Sequence, residues 1–389
     1  MENFKSFLRQ NIRQYAMALA LIVIMAFFQV LTGGVLFKPM NVTNLILQNS
    51  YVLILAVGML IVILTGNVDL SVGSVAAFIG AISAILMVRM NMPVVLAVII
   101  CLVIGALVGA WQGFWIAYVR IPAFIVTLAG MLIFRGLTMV ILKGQTIAPF
   151  PDSFAVAANG FLPESLKIGD LNLIAVAVGI ILSLIYVFMT VKQVNNRKKY
   201  NIEGEPLGFT IFITAIVVIA INMFALSLAN YKGIPLVLIL IGVLILIYTF
   251  ITEKTIAGRH VYALGGNEKA AKLSGIKTKR VMFWVYTNMG LLSAIAGLIV
   301  SARLGAATPK AGTNYELDAI AACFIGGASA SGGIGTIIGA IIGALVMGVL
   351  NNGMSIMGIG IDWQQAIKGL VLLAAVAFDV YTKSKSSAQ

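Results

Sequence analysis

The chain has 389 residues, 61% of them hydrophobic and 10% charged, with a mean hydropathy of +1.05 and a net charge of +13. A soluble domain carries about 25% charged residues, so this composition excludes an ordinary soluble protein and puts the function inside a membrane. Two cysteines in apolar stretches, Cys101 and Cys323, and a single histidine, His260, exclude a disulfide framework and a zinc or histidine-based centre.

A bilayer span needs about 20 mainly apolar residues. Each span must be a helix, because an unsatisfied backbone group in lipid is costly. Twelve stretches qualify: 15–37, 51–66, 69–88, 94–118, 122–142, 171–190, 209–229, 234–252, 281–302, 315–331, 334–350 and 364–381. The first follows Lys5, Arg9 and Arg13 and is longer than the apolar core of a signal peptide, about 7–15 residues, so it reads as a retained span. The second and third are nearly continuous through Thr65–Ser74. The fourth carries Gly105, Gly109 and Gly113, and the eleventh Gly335, Gly339 and Gly343. Small residues four apart let helices approach closely. Trp111, Trp115 and Tyr118 suit an interfacial belt at the end of the fourth. Arg135 lies in the outer half of the fifth. The tenth is short, rich in small residues, and begins with Glu316 and Asp318. The expectation is an all-α polytopic membrane helix bundle of about 10–12 transmembrane helices, forming one domain over 1–389.

Lys and Arg set the orientation of such a bundle. With the N-terminus in the cytoplasm, seventeen of them fall on inner segments and seven on outer ones, so both termini are expected to be cytoplasmic. Residues 143–170, with Asp152, Glu164 and Asp170, then lie outside. Residues 191–208 (Arg197, Lys198, Lys199, Glu203, Glu205) and the longer loop 253–280 lie inside. The positive charge therefore reads as topology rather than as a nucleic-acid surface.

Within that longer loop, Ala263–Ile276 reads A-L-G-G-N-E-K-A-A-K-L-S-G-I. Gly265 and Gly266 are expected to break the preceding structure. Asn267 can cap a short helix with Glu268 in its first turn, and Gly275 stops it. Ala270, Ala271 and Leu273 give this helix a small, smooth face suited to a shallow groove of another protein. The plainer reading is an amphipathic connector on the membrane surface. Weakly polar and acidic residues near 65–74 and 316–336 are the candidate lining of a pathway: Thr65, Asp69, Ser71, Ser74, Glu316, Asp318, Ser329 and Ser331. An acid at membrane depth suggests function, but Asp69 also suits a cap of the third span close to the inner gate, and that structural reading is favoured. Glu316 and Asp318 suit either a docking point for basic residues at the mouth or a complement to the helix dipole. Asn67 is given no essential role. The run Gly326–Gly335 lacks the G-K-[ST] ending of a phosphate loop, so no cofactor or nucleotide site is expected.

Ordered motifs carry a resemblance. They are Thr65–Ser74 (T-G-N-V-D-L-S-V-G-S), Phe124–Gly136 (F-I-V-T-L-A-G-M-L-I-F-R-G), Ala263–Ile276, Glu316–Gly327 (E-L-D-A-I-A-A-C-F-I-G-G) continuing through Ser331–Thr336, and Asn351–Ser355 (N-N-G-M-S). Over residues 40–380 or so the chain resembles the permease subunits of bacterial ABC sugar importers of the ribose/galactose/xylose group. It is most similar to xylose-type or multiple-monosaccharide members, which share its three spans (171–190, 209–229, 234–252) between the outer loop and the coupling loop. The resemblance implies monosaccharide import across the bacterial inner membrane by a subunit that is not itself an enzyme. It implies three protein partners: a second permease copy, an extracytoplasmic sugar-binding protein, and an ATP-binding cassette ATPase. The ATPase would dock on Gly265, Gly266, Asn267, Glu268, Ala270, Ala271, Leu273 and Gly275. Membrane lipid surrounds the whole, and no nucleic acid is involved. The alternative is a stand-alone ion- or proton-coupled carrier, which would normally show more buried ionisable residues. A membrane enzyme is opposed by the lack of histidine clusters and paired carboxylates.

Overall fold

Prolines and small polar caps decide where the helices of this chain begin. The computed structural model describes residues 2–163, 167–169, 171–200 and 206–386, with side chains for 17–377 among them. Lys5, Arg9, Arg13, Glu164, Asp170, Glu203, Glu205, Lys383 and Lys385 lie outside that side-chain set. The elements are α1 (Glu2–Leu31), α2 (Pro39–Leu64), α3 (Val72–Ala84), α4 (Val94–Phe114), α5 (Ala123–Leu142), α6 (Asp152–Asn159), β1 (Lys167–Ile168), β2 (Leu171–Asn172), α7 (Leu173–Lys199), α8 (Leu207–Ala229), α9 (Leu236–Lys254), α10 (Ile256–Gly266), α11 (Glu268–Leu273), α12 (Thr278–Leu304), α13 (Tyr315–Ile325), α14 (Ile337–Ile356) and α15 (Ile361–Ser386). One π-helical turn extends α3 over Ile85–Arg89, and another extends α4 over Trp115–Val119.

Pro93, Pro122, Pro151, Pro206 and Pro235 each stand immediately before a helix, and Pro39 opens α2. A proline there loses nothing, because the first amides of a helix have no partner in any case. Elsewhere a side chain fills that need. Asn172 accepts from the amides of Ile174 and Ala175, and Thr336 from that of Gly339.

The membrane sorts these helices. Among the described residues, nine are long and apolar enough to cross a bilayer, which makes the chain a polytopic helical bundle. The most apolar window of α2 is 83% buried within the chain and that of α8 only 11%. So α2, with α3, α12 and α14, forms the protein core, while α7 and α8 present most of their surface outward. The core helices meet through glycine. A Cβ on Gly105, Gly109 or Gly113 of α4 would strike the backbone of α12, and one on Gly343 of α14 the Ala322 carbonyl of α13. Outside this core, α7 and α8 pair with each other. Gly179 faces Ala225, and Asn222 Nδ2 donates to Ser183 Oγ at 2.7 Å.

The segment 143–163 is not a plain loop. It holds α6, whose Phe154 and Ala158 are buried, and pairs Ile147 with Ala307 beyond the end of α12.

Two expected spans need correction. The second starts at Pro39, not at 51. Its first turns read polar, with Asn41, Thr43, Asn49 and Ser50, and hydropathy alone rejects them. Those groups are satisfied within the bundle: Thr43 Oγ1 donates to Pro39 O, Asn49 Nδ2 to Leu45 O, and Asn41 Nδ2 to Asn352 Oδ1 at 2.9 Å. The tenth does not cross. α13 has 11 residues, about 16 Å of helix against a hydrocarbon core of about 30 Å. Beyond it the glycines of 326–335 run as loop, with Gly332 and Gly333 at φ +81° and +73°.

Candidate functional site

Three chain segments far apart in sequence meet at the end of the bundle where α2 finishes. Gly66 follows α2 at φ +77°, Gly265 and Gly266 close α10, and Gly332 and Gly333 lie in the loop beyond α13. The Gly333 amide donates to Leu64 O at 2.9 Å. A Cβ on Gly265 would run into that same Leu64 oxygen, and one on Gly332 would lie 2.7 Å from Gly66 N. Backbone packs on backbone here because only glycine leaves room for it. Tyr262 of α10 adds a fourth tie, its hydroxyl donating to Gly335 O at 2.7 Å. Burial, then the nearby Glu253, holds this phenol above its usual pKa, so it stays a donor.

The helix pair α10–α11 forms the outer layer of this seam. Asn267, extended at φ −162°, separates the two helices and caps the second by accepting from Ala270 N at 3.0 Å. Glu268 occupies the first turn and Gly275 terminates the segment at φ +84°. Two expectations are corrected. Gly265 and Gly266 do not break the preceding structure but form the last turn of α10, and the break falls at Asn267. Ala271 does not face outward. It is buried against the body, whereas Ala270 is exposed and Leu273 is 89% exposed. Six helical residues carry too little periodicity to reveal which side meets the bundle.

Directly inside the seam is a cavity of about 150 Å³ lined by Ile63, Gly66, Asn67, Val68, Phe124, Phe324 and Ala330. It draws on the two segments read as candidate lining, but through different residues. Thr65 is buried and donates to Val62 O. Ser329 is fully buried, its hydroxyl 3.1 Å from that of the exposed Ser331. Asn67, a weakly polar residue of the first lining segment given no essential role from sequence, stands in the wall itself. Its Nδ2 donates to Thr65 O at 3.1 Å and Thr65 Oγ1 at 3.2 Å. The signal available in the sequence was an amide beside a glycine at the end of a buried helix.

The acids sit deeper. Asp69 is buried and accepts from Ser71 N at 2.8 Å and Ser71 Oγ at 2.6 Å, closing the turn into α3, and Gln112 Nε2 donates to the same serine at 2.8 Å. Ser74 is fully buried on α3. Glu316 and Asp318 are also buried, at 7% and 2% exposure, which removes them from any docking surface. Glu316 packs against Gly73 at the start of α3. Asp318 is paired with Lys368. Arg135 turns inward, its guanidinium donating to Ala311 O and Thr313 Oγ1, both at 3.1 Å. No group of metal-binding side chains occurs among the described residues.

Residues 41–376 match the family described as the branched-chain amino acid transport system / permease component. The chain is 41% identical to the xylose transport system permease protein XylH of Haemophilus influenzae over 96% of its length and 98% of that protein. It is 40% identical to XylH of Escherichia coli strain K12, over 97% and 94%. It is 34% identical to the ribose import permease protein RbsC of the same strain, over 93% and 92%. No solved structure matches. The chain belongs to this permease family, and is the permease component of a transporter in the bacterial plasma membrane.

Proposed function

We propose that this permease forms, with a second copy of itself, the pathway of an ATP-binding cassette importer for monosaccharides of the xylose and ribose kind. An ATPase docks on α10–α11 from the cytoplasm. A sugar-binding protein delivers substrate at the opposite face, where α6 lies. The seventeen-to-seven distribution of basic residues supports that orientation, and the names of the relatives support the substrate class.

The observation that carries this reading is the glycine seam. The helix pair that resembles an ATPase-coupling element touches, backbone to backbone, both segments that line the cavity. No soft side chain lies between Gly265 and Leu64 O to absorb a displacement. A push on α10 therefore moves the ends of α2 and α13 together, and these line the inner mouth. Leu273, Ala270, Lys269 and Glu268 present the docking face, while Gly265, Gly266 and Ala271 hold it to the body. The pathway itself passes between segments 65–74 and 316–336 and has no tight sugar site. Thr65, Asp69, Ser71, Ser74, Glu316, Asp318, Ser329 and Ser331 shape it from behind.

The test is uptake of labelled D-xylose and D-ribose into proteoliposomes holding the permease with its ATPase and binding protein. The expected result is uptake that requires ATP and both partners, with the isolated permease binding neither sugar more tightly than about millimolar, roughly −4 kcal/mol. Uptake by the permease alone, or micromolar binding to it, would replace this reading by that of a stand-alone carrier.

A further inference from the structure

We infer that the cavity behind the seam is a monosaccharide-selective slot, in which Asn67 reads the sugar's hydroxyls while Phe124 and Phe324 supply aromatic surface for its C–H face. This inference rests on the importer reading and assigns to the inner mouth a share of the selectivity otherwise left to the binding protein.

Size is the first argument. The recess holds about 150 Å³ and is open on one side, which is room on the scale of one small ring. Composition is the second. A monosaccharide has an apolar C–H face and a rim of hydroxyls. Phe124 comes from the first turn of α5 and Phe324 from the last turn of α13, so two aromatic side chains from separate helices border one space. Aromatic side chains offer a large rigid apolar surface. Among the lining residues, Asn67 has the one polar side chain. Asn67 is half-buried at this wall, so its amide stands where an entering hydroxyl can reach it.

The orientation of that amide is the third argument. Thr65 engages Nδ2 twice, and its own hydroxyl is engaged by Val62 O at 2.7 Å. Oδ1 receives no hydrogen bond from the described residues, and is the acceptor offered to a sugar hydroxyl. Position is the fourth. Gly66 lines the cavity and also belongs to the seam, so the motion that opens the mouth also reshapes the slot. The sugar is then tested at the moment of release. One neutral hydrogen bond distinguishes two sugars by a factor of about three to ten, which is weak enough to leave release fast.

The experiment uses the complete transporter, with ATPase and binding protein, in proteoliposomes. Initial uptake rates of D-xylose and D-ribose are measured at saturating loaded binding protein, beside ATP hydrolysis. Asn67→Leu should change the ratio of the two rates by about three- to tenfold while ATP hydrolysis stays within about twofold of the wild type. Phe324→Leu should slow both sugars. A second measurement covers misfolding of Asn67→Leu: in Asn67→Cys, maleimide labelling should be slowed by millimolar D-xylose and not by the same concentration of mannitol or by salt. An unchanged xylose-to-ribose ratio together with no protection would overturn the slot. So would a parallel loss of both sugars and of ATP hydrolysis without protection, since that marks a gate alone. A wild-type transporter that moves neither sugar would overturn the importer reading itself, and the slot with it.

Discussion

The ammonium of Lys368 on α15 lies 2.9 Å from Oδ1 of Asp318 on α13, and the carboxylate is only 3% exposed. Tyr51 of α2 donates to Oδ2 at 2.8 Å while its ring stacks on Tyr315, with centroids 3.8 Å apart. Three helices are therefore joined around one charge pair whose carboxylate is buried and whose ammonium is partly exposed. An unpaired charge at this depth would be expensive. The pair anchors the short α13, which has too few residues to be held by lipid contact.

Removing the lysine alone should cost far more than removing both partners. Lys368→Met alone strands the buried carboxylate and should destabilise the purified permease by about 3 kcal/mol, and Asp318→Asn, which leaves the partly exposed lysine, by less. The double variant should recover most of that. Thermal unfolding of the four proteins in detergent checks it, and a double variant no more stable than Lys368→Met would contradict the pairing argument.

Gly265 and Gly266 are adjacent but should respond differently. A Cβ on Gly265 meets the Leu64 carbonyl, whereas one on Gly266 meets nothing within 4 Å. Gly265→Ala should destabilise the seam by about 2 kcal/mol, the usual scale of overpacking, and abolish coupled uptake. Gly266→Ala should retain uptake. Parallel transport assays and melting curves decide the matter.

Ala271 and Leu273 divide in the same way. Leu273→Asp should leave the permease folded and monodisperse but lose the ATPase on co-purification. Ala271→Glu, which forces a charge into a buried position, should lower the yield of folded permease itself. Size-exclusion profiles beside co-purification yields distinguish the two effects.

The orientation is open to labelling. Cys101 and Cys323 are fully buried, so a cysteine placed at an exposed site dominates the reaction. An impermeant maleimide applied to intact cells should label Ser153→Cys on α6 and spare Ala270→Cys. The reverse pattern would invert the assignment of the two faces.

Much of the fold was legible before any coordinate. Lipid leaves a backbone no option but the helix, so hydropathy located most spans, and the Asn267 cap followed from its place before Glu268. The glycines four apart in α4 and α14 announced close packing, and the family could be read from ordered motifs. What hydropathy missed was local polarity that the bundle satisfies, as in the first turns of α2 around Asn41 and Asn352.

Only the tertiary structure joined Gly66 to Gly265 and Gly333, Asp318 to Lys368, and Asn67 to Phe124 and Phe324. Each of these juxtapositions spans from fifty to more than two hundred residues of chain. Composition and periodicity describe how one segment meets its solvent, whether water or lipid. They carry no information on which backbone lies opposite a glycine, or which distant side chain neutralises a buried acid. Those choices depend on the helix crossings. The crossings are set by the packing of whole helix faces against one another, so the spans were fixed by the chain's own chemistry and the site by how the spans meet.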